Sequence, residues 1–127
     1  MDLVQLDTTI RAEEGVEMVL RHPTTNEELD VVLTVRGVDS KVMKAAFSKF
    51  RRIMDDERKS DNEKDKATAD LVVRCIVDIS GAEYQGKPIE STEEGKRFFV
   101  EHFQWAATQV FEFISDLDHF LPPSDSV

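Results

Sequence analysis

Two β-patterned runs joined by a polar turn constrain the fold of this chain more than any other feature. The first, EMVLRHP, must stop at Pro23, because proline has no backbone N–H to donate to a sheet. In the second, LDVVLTVRG, successive residues would lie on opposite faces of a strand, and one apolar face is formed by Val31, Leu33 and Val35. Between them lies TTNEE, in which Asn26 tolerates a left-handed backbone. The two runs therefore predict an antiparallel β-hairpin.

An amphipathic helix is predicted to follow the hairpin. Gly37 ends the second strand, and Asp39 or Ser40 can cap the helix by accepting hydrogen bonds from its first free amides. Over residues 41–58 one face of the pattern is apolar, and it is formed by Met43, Ala46, Phe47, Phe50, Ile53 and Met54. The polar run SDNEKDK, residues 60–66, then predicts a break before the next element.

Residues 67–80 carry two competing patterns. A strand is favoured by the propensities of Val72, Val73, Ile76, Val77 and Ile79. A helix is favoured by the helix-forming start ATADL, by the length of the run, and by a stripe formed by Thr68, Leu71, Val72, Cys75, Ile76 and Ile79. Gly81 also stands where a helix C-cap would lie. We therefore predict a mostly buried helix over residues 67–80.

The C-terminal third of the chain is predicted to contain a tight turn and aromatic-rich helices. EYQGKPIE indicates a turn at Gln85 and Gly86, and the following STEE is a capping box in which Ser91 would cap the next helix. A separate turn or helix is indicated by Phe98, Phe99 and Phe103. A last helix, which the two prolines after it would end, is indicated by Val110, Phe111, Ile114, Leu117, Phe120 and Leu121.

These patterns together predict an α+β fold that is mainly α. It has an N-terminal β-hairpin followed by three to four packed helices, with a small β-turn or hairpin as a link. A chain of 127 residues is long enough to bury a core as one domain. We expect that domain to span residues 15–122, with a flexible tail over 123–127. Residues 1–14 have no firm period, so a short strand and an arm both stay open for them.

The charge of the chain narrows the class of partner. Sixteen Lys and Arg against 26 Asp and Glu give a formal net charge of −10. Because such a surface repels phosphate groups and anionic lipid, we expect neither a nucleic-acid nor a membrane partner. The basic run KFRR, residues 49–52, is followed directly by acidic residues, which favours an internally paired helix face.

Catalytic and metal-binding signatures are missing from the sequence. An EF-hand interpretation of DNEKD fails, because the positions that need glycine and glutamate hold Lys66 and Val72. None of the three histidines stands at metal-ligand spacing with another ligand. The single cysteine, Cys75, lies in an apolar run and is expected to behave as a small hydrophobic residue in a reducing cytoplasm. We expect no enzyme activity, no cofactor and no metal.

Several short motifs, taken in order, resemble those of one protein family. EMVLRHPTTNEELDVVLTVRGVDSKV is similar to the arrangement of strand, HPxT, strand, VRGxDS and helix in phage tail assembly chaperones of long-tailed siphophages. GAEYQGKPIE and QVFEFISDLDHFLPP then follow in an order that also resembles that family. The resemblance covers about residues 15–122. Its specificity comes from the order and spacing of the motifs, since each one is short.

The resemblance implies a non-enzymatic role in building a phage tail. Proteins of this family bind the tape measure protein, keep its hydrophobic helices from aggregating, and deliver it to the tail tube protein. A phage or prophage product of this kind would work in the host bacterial cytoplasm, would be absent from the mature virion, and could form a homo-oligomer. In many relatives a translational frameshift near the end of the reading frame also produces a longer form.

A partner of this kind would dock an apolar helix face in a hydrophobic groove. The candidate partner-binding residues are large apolar side chains of the predicted helices, namely Met43, Phe47, Phe50, Met54, Trp105, Phe111 and Phe113. Core packing is the alternative for each, because a small domain needs most of its large apolar residues inside. Two other functions stay open: a structural minor tail or head–tail connector protein, and a small intracellular protein-binding adaptor.

Overall fold

A computed structural model describes residues 1–122, which form an α+β fold that is mainly α, as predicted. In chain order the elements are a 3₁₀ turn (Val4–Leu6), α1 (Thr9–Glu14), β1 (Val16–Arg21), β2 (Glu28–Val35), α2 (Lys41–Met54), α3 (Asp61–Cys75), β3 (Ile76–Ser80), β4 (Glu83–Tyr84), β5 (Lys87–Pro88), α4 (Glu93–His102), α5 (Gln104–Ser115) and a second 3₁₀ turn (Leu117–Phe120). The predicted tail over 123–127 lies outside the described residues. Within residues 1–122, no helix is long and apolar enough to cross a membrane.

The main sheet has three antiparallel strands in the order β1-β2-β3. In its centre Met18 lies opposite Leu33, and Leu33 lies opposite Ile79. The hairpin of β1 and β2 is the predicted one, and Asn26 in its turn has a φ of 63°. A second hairpin joins β4 to β5 through the predicted turn, where Gln85 and Gly86 both have positive φ.

One face of the sheet and the inner faces of the helices form a single hydrophobic core. The predicted alternation in β2 holds, since Leu33 and Val35 are fully buried. Helices α3, α4 and α5 contribute buried apolar residues to the same core, among them Val72, Val100, Val110 and Ile114. Cys75 is buried with them, as a small apolar residue would be.

The prediction of a helix over residues 67–80 is right only for its first part. Helix α3 ends at Cys75, and Ile76–Ser80 form strand β3. The β-branched residues of this stretch find the open edge of β2, where Thr34 lies opposite Asp78, so tertiary pairing decides the backbone conformation. Gly81 is not a helix C-cap. Its φ is +84°, and a Cβ there would lie 2.2 Å from the carbonyl oxygen of Asp30.

Four predicted helix boundaries are also wrong. Helix α2 ends at Met54 and not at residue 58. The polar run 60–66 is not a break but the start of α3, because the Ser60 hydroxyl caps that helix by accepting a hydrogen bond from the Glu63 amide. Thr92, not Ser91, caps α4, since the Ser91 hydroxyl is bound to the main chain of β3 at Ile79. The final stripe breaks after Ser115 and continues as a 3₁₀ turn.

The N-terminal residues pack through a short helix, for which the sequence left a strand or an arm open. Ala12 in α1 is fully buried, and its carbonyl accepts a hydrogen bond from the Gly37 amide at 3.2 Å. The Arg11 guanidinium donates to the Leu121 carbonyl at 2.6 Å. A Cβ at Gly37 would press on Ala12 and Phe120, so this glycine lets the N- and C-terminal segments meet.

Candidate functional site

An open groove lies where α2, α3, α4 and α5 meet. Its volume is about 590 Å³, which is within the range of protein ligand pockets. The C-terminal part of α2 lines it with Phe50 and Met54, and α5 lines it beside them with Phe111. Ala69 of α3 and Val100 of α4 also line it. We call this feature the aromatic groove.

The aromatic walls of the groove are held by contacts between rings. The centroids of Phe50 and Phe111 are 6.1 Å apart, with the ring planes tilted by 53°. Phe47 packs edge-to-face against Phe50, also at 6.1 Å, and the Arg51 guanidinium lies 5.7 Å from the Phe47 centroid. Such pairs favour defined ring orientations. The groove therefore has an ordered aromatic side and not a loose apolar surface.

The groove exists because small side chains lie between the large ones. Ala69 on α3 and Ala107 on α5 stand at positions where larger residues would fill the space between the helices. Both are partly buried against the core. Met54 at the mouth keeps 37% of its surface exposed. An unbranched methionine can adjust its shape to fit different apolar partners, which suits the mouth of a binding groove.

Charged and polar side chains surround the apolar walls. Asp65 and Lys66 border the groove from α3, and Glu101 and Gln104 border it from the other side. Glu101 is also paired with Arg97, whose guanidinium lies 2.8 Å from the Asp70 carboxylate and 3.4 Å from Glu101. An apolar centre with a polar rim is typical of protein docking sites.

The Arg97 contacts tie α3 to α4 beside the groove. The hydrogen bond with Asp70 raises the pKa of the Arg97 guanidinium, and Glu101 adds to the effect. The ion pair itself is partly exposed, so its contribution to stability is small. Its main consequence is to fix the orientation of one rim of the groove.

The predicted partner-binding residues divide between the groove and the rest of the fold. Phe50, Met54 and Phe111 line the groove, and Phe47 supports it. Met43 is 0% exposed in the core, so it offers no docking surface in this conformation. Trp105 and Phe113 are elsewhere, both partly buried: Trp105 contacts Phe103, and Phe113 stacks on His119 with centroids 3.7 Å apart.

A second aromatic cluster was not predicted as a unit. Tyr84 in β4 meets Phe98 at 5.3 Å and His102 at 5.0 Å, and Phe98 and His102 are stacked. Phe103 closes the cluster at 6.0 Å from Tyr84. Tyr84 and Phe98 are 36% and 39% exposed. The spacing of Phe98 and His102 places them on one helix face, but their meeting with Tyr84 depends on the small hairpin. The cluster attaches that hairpin to α4.

The titratable groups of the described residues offer little for chemistry. Burial raises the pKa of the Cys75 thiol, which keeps it protonated and unreactive. Residues 1–122 hold no group of three or more His, Cys, Asp or Glu side chains placed to bind a metal. Every buried side-chain nitrogen or oxygen in the described part has a hydrogen-bond partner. The aromatic groove is therefore the candidate site, and it is suited to binding.

Comparison of this chain with protein-family models, curated proteins and solved structures finds no match.

Proposed function

We propose that this protein is a non-enzymatic phage tail assembly chaperone that binds the tape measure protein in the aromatic groove. The tail tube protein is the second partner, to which the tape measure protein would be passed. The observation that carries this proposal is that Phe50, Met54 and Phe111, three residues expected to anchor a partner, line one open groove. The ordered motifs of the sequence support the choice of family.

The groove suits one face of an amphipathic helix. Its walls are aromatic and aliphatic, its floor carries Ala69 and Ala107, and its rim is charged. An apolar stripe of the partner helix would pack against Phe50, Met54 and Phe111, while its polar residues would face the rim. A chaperone for long apolar helices must remain dispersed while its partner is bound, and a formal net charge of −10 favours that.

The proposal places the protein in the cytoplasm of the host bacterium while tails are being built, and not in the finished particle. The partner would be covered transiently and then released into the tube. Binding strength should therefore come from a few apolar contacts and not from a large permanent interface.

The test is co-expression with a tape measure protein from the same phage or prophage genome. The wild-type chain should increase the soluble fraction of that protein and co-purify with it. Met54→Gln, which places a polar group at the mouth, should weaken binding roughly tenfold, equivalent to about 1.4 kcal/mol. Thr108→Arg, which places a long side chain on the groove wall, should weaken it further.

Matched controls are available at exposed helix positions outside the groove lining. Val42 is 38% exposed and Met54 37%, and both lie on α2, but only Met54 lines the groove. Val42→Gln should therefore leave binding unchanged. Ser48→Arg, an exposed position of α2 outside the groove lining, is the control for Thr108→Arg. If the wild-type chain neither rescues nor co-purifies the tape measure protein, the proposal is wrong.

Mass spectrometry of purified virions separates this function from that of a structural tail or connector protein. A departing chaperone should be missing or far below one copy per tail subunit. Stoichiometric presence in mature particles would contradict the proposal and favour the structural alternative.

A further inference from the structure

The charge of α2 is opposite to that of the chain as a whole. This helix contains none of the 26 Asp and Glu residues, and the chain has a formal net charge of −10. Its charged residues are all basic and all exposed, namely Lys41, Lys44, Lys49, Arg51 and Arg52. Helix α2 is therefore a basic surface on an acidic protein.

These basic side chains have no acidic partners in the described part of the chain. None of the ion pairs within residues 1–122 includes a residue of α2. The internal pairing that the sequence favoured for residues 49–52 is not seen there, and Asp56, just after the helix, binds Arg58 instead. The charges of α2 are therefore available to acidic groups of another molecule.

The helix dipole explains only part of this distribution. Basic residues stabilise the C-terminal end of a helix and are unfavourable at its N-terminal end. Helices α3 and α4 follow that rule, since both have acidic residues in the first turn. Helix α2 has none there. The dipole accounts for Arg51 and Arg52 in the last turn of α2, but not for Lys41 and Lys44 near its start.

Two of the basic residues stand beside the aromatic groove. Side chains three or four residues apart are neighbours on a helix surface. Arg51 therefore lies between Phe47 and Met54, and Lys44 lies on the other side of Phe47. The Arg51 guanidinium is 5.7 Å from the Phe47 centroid, which fixes it next to the ring that supports the groove. The α2 border of the groove is thus positively charged.

The part of the rim that α3 and α4 form is different. There Asp65 and Glu101 accompany a single basic residue, Lys66. A helix lying in the groove would therefore meet positive charge mainly along the flank that faces α2.

We infer that the helix bound in the aromatic groove has an acidic flank, which lies along Lys44 and Arg51 while its apolar stripe packs against Phe50, Met54 and Phe111. The partner is an amphipathic helix with Asp or Glu residues on one side of its apolar stripe. This assignment rests on the proposed function in taking the groove as the site for a helix, and it adds the charge and orientation of that helix. Complementary charge selects against basic partners more than it adds to affinity.

The test uses three fluorescein-labelled helical peptides that share one apolar stripe and have Glu, Gln or Lys along one flank. Fluorescence anisotropy measures their binding to the full chain. At about 20 mM salt the Glu peptide should bind at least about fivefold tighter than the Gln peptide, and the Lys peptide should bind most weakly. The net charge of the whole chain predicts the reverse order. At about 1 M salt, which screens the charges, the three peptides should bind equally.

Charge reversal on α2 locates the effect. Lys44→Glu and Arg51→Glu should each weaken binding of the Glu peptide by about threefold or more, and the double variant should prefer the Lys peptide. Lys44 does not line the groove, so its change leaves the apolar walls intact. Lys87→Glu makes the same change in net charge at an exposed position of β5 and should bind like the wild type. Circular dichroism checks that each variant is folded.

Each contrary result has a separate meaning. Equal binding of the Glu and Gln peptides at low salt, or a preference that both charge reversals leave unchanged, overturns the acidic flank and leaves the proposed function standing. If no peptide binds at up to about 1 mM, the groove takes no helix and the proposed function fails as well. A short DNA duplex that binds tighter than the Glu peptide, and loses binding in Lys44→Glu, would assign the basic face to nucleic acid and also overturn the acidic flank.

Discussion

Helix α2 is sealed at one end and open at the other. At its start, Ser40 and Met43 are both 0% exposed, and the Ser40 hydroxyl accepts a hydrogen bond from the Met43 amide at 3.2 Å. At its finish, Met54 is 37% exposed and Phe50 lines the aromatic groove. Met43 and Met54 are the same residue type on the same apolar stripe, but one lies in the core and the other at a surface.

The difference comes from the neighbours of the helix and not from the helix itself. The N-terminal segment covers the first turn: the Thr8 hydroxyl donates to Asp39, and the Lys41 amide donates to the Glu13 carboxylate. At the other end α2 faces the small residues Ala69 and Ala107 across the groove. The stabilising part of α2 is therefore its first half, and the half available for binding is its second.

The largest effect should come from Met43→Ala, at the sealed end. Removing a fully buried methionine leaves a cavity in the core, and the free energy of unfolding should fall by about 2 to 5 kcal/mol. Urea denaturation followed by circular dichroism measures it. Met54→Ala at the open end is the matched change and should cost less than about 1 kcal/mol, because that side chain is only partly buried and its removal leaves no closed cavity. Equal losses of unfolding free energy for the two variants would mean that the two ends of α2 are packed equally well.

Ser40→Ala should give the next largest loss, about 1 to 2 kcal/mol in the free energy of unfolding. The Met43 amide would lose its acceptor inside the protein, where water cannot replace it. Ser60→Ala removes the equivalent cap from α3 at an exposed position, so its loss should be smaller. The same denaturation experiment tests both. A Ser60 variant that is less stable than the Ser40 variant would show that burial of the cap is unimportant.

Local sequence patterns predicted the hairpin and α2 because their signals lie within the segment itself. The alternation of Val31, Leu33 and Val35 and the cap at Ser40 need no distant partner to be recognised. Strand β3 is different. Its apolar residues fit either a strand or a helix, and the choice depends on the free edge of β2, which lies far away in the sequence.

Spacing identified Phe50, Met54 and Phe111 as large apolar residues of helices, but not the groove that they line. The groove depends on Ala69 and Ala107, whose small size has meaning only once α3 and α5 face each other. For the same reason the sequence could not show that Met43 is buried while Met54 is exposed. Residues near Thr8 and Glu13 cover the first turn of α2 through tertiary contacts, which no local pattern reveals.

The packing of the open end can be measured as the coupling between Phe50 and Phe111. Their rings are 6.1 Å apart and tilted, so a double-mutant cycle with Phe50→Leu and Phe111→Leu should give a coupling of about 0.5 kcal/mol in unfolding free energy. A second cycle with Phe47→Leu and Phe111→Leu is the control. Its coupling should be near zero, because the Phe50 ring contacts both of these rings and lies between them. Zero coupling for the first pair would mean that the groove walls are not ordered by ring contacts.

The smallest effect concerns Asp56, in the exposed segment just after the open end. Its hydrogen bonds with Arg58 lower the pKa of the Asp56 carboxyl, and Lys59 adds a smaller contribution. Because the folded-state pKa is the lower one, the stabilising contribution is present above the unfolded-state pKa of about 3.9 and is lost as the pH falls through the folded-state value. Arg58→Ala should move the Asp56 pKa back towards the ordinary value, followed by the NMR shift of its side-chain carbonyl. Asp7, whose pKa is lowered by its hydrogen bonds with Thr9 and which has no contact with Arg58, is the internal reference. An Asp56 pKa that Arg58→Ala leaves unchanged would mean that the Arg58 side chain does not lower it.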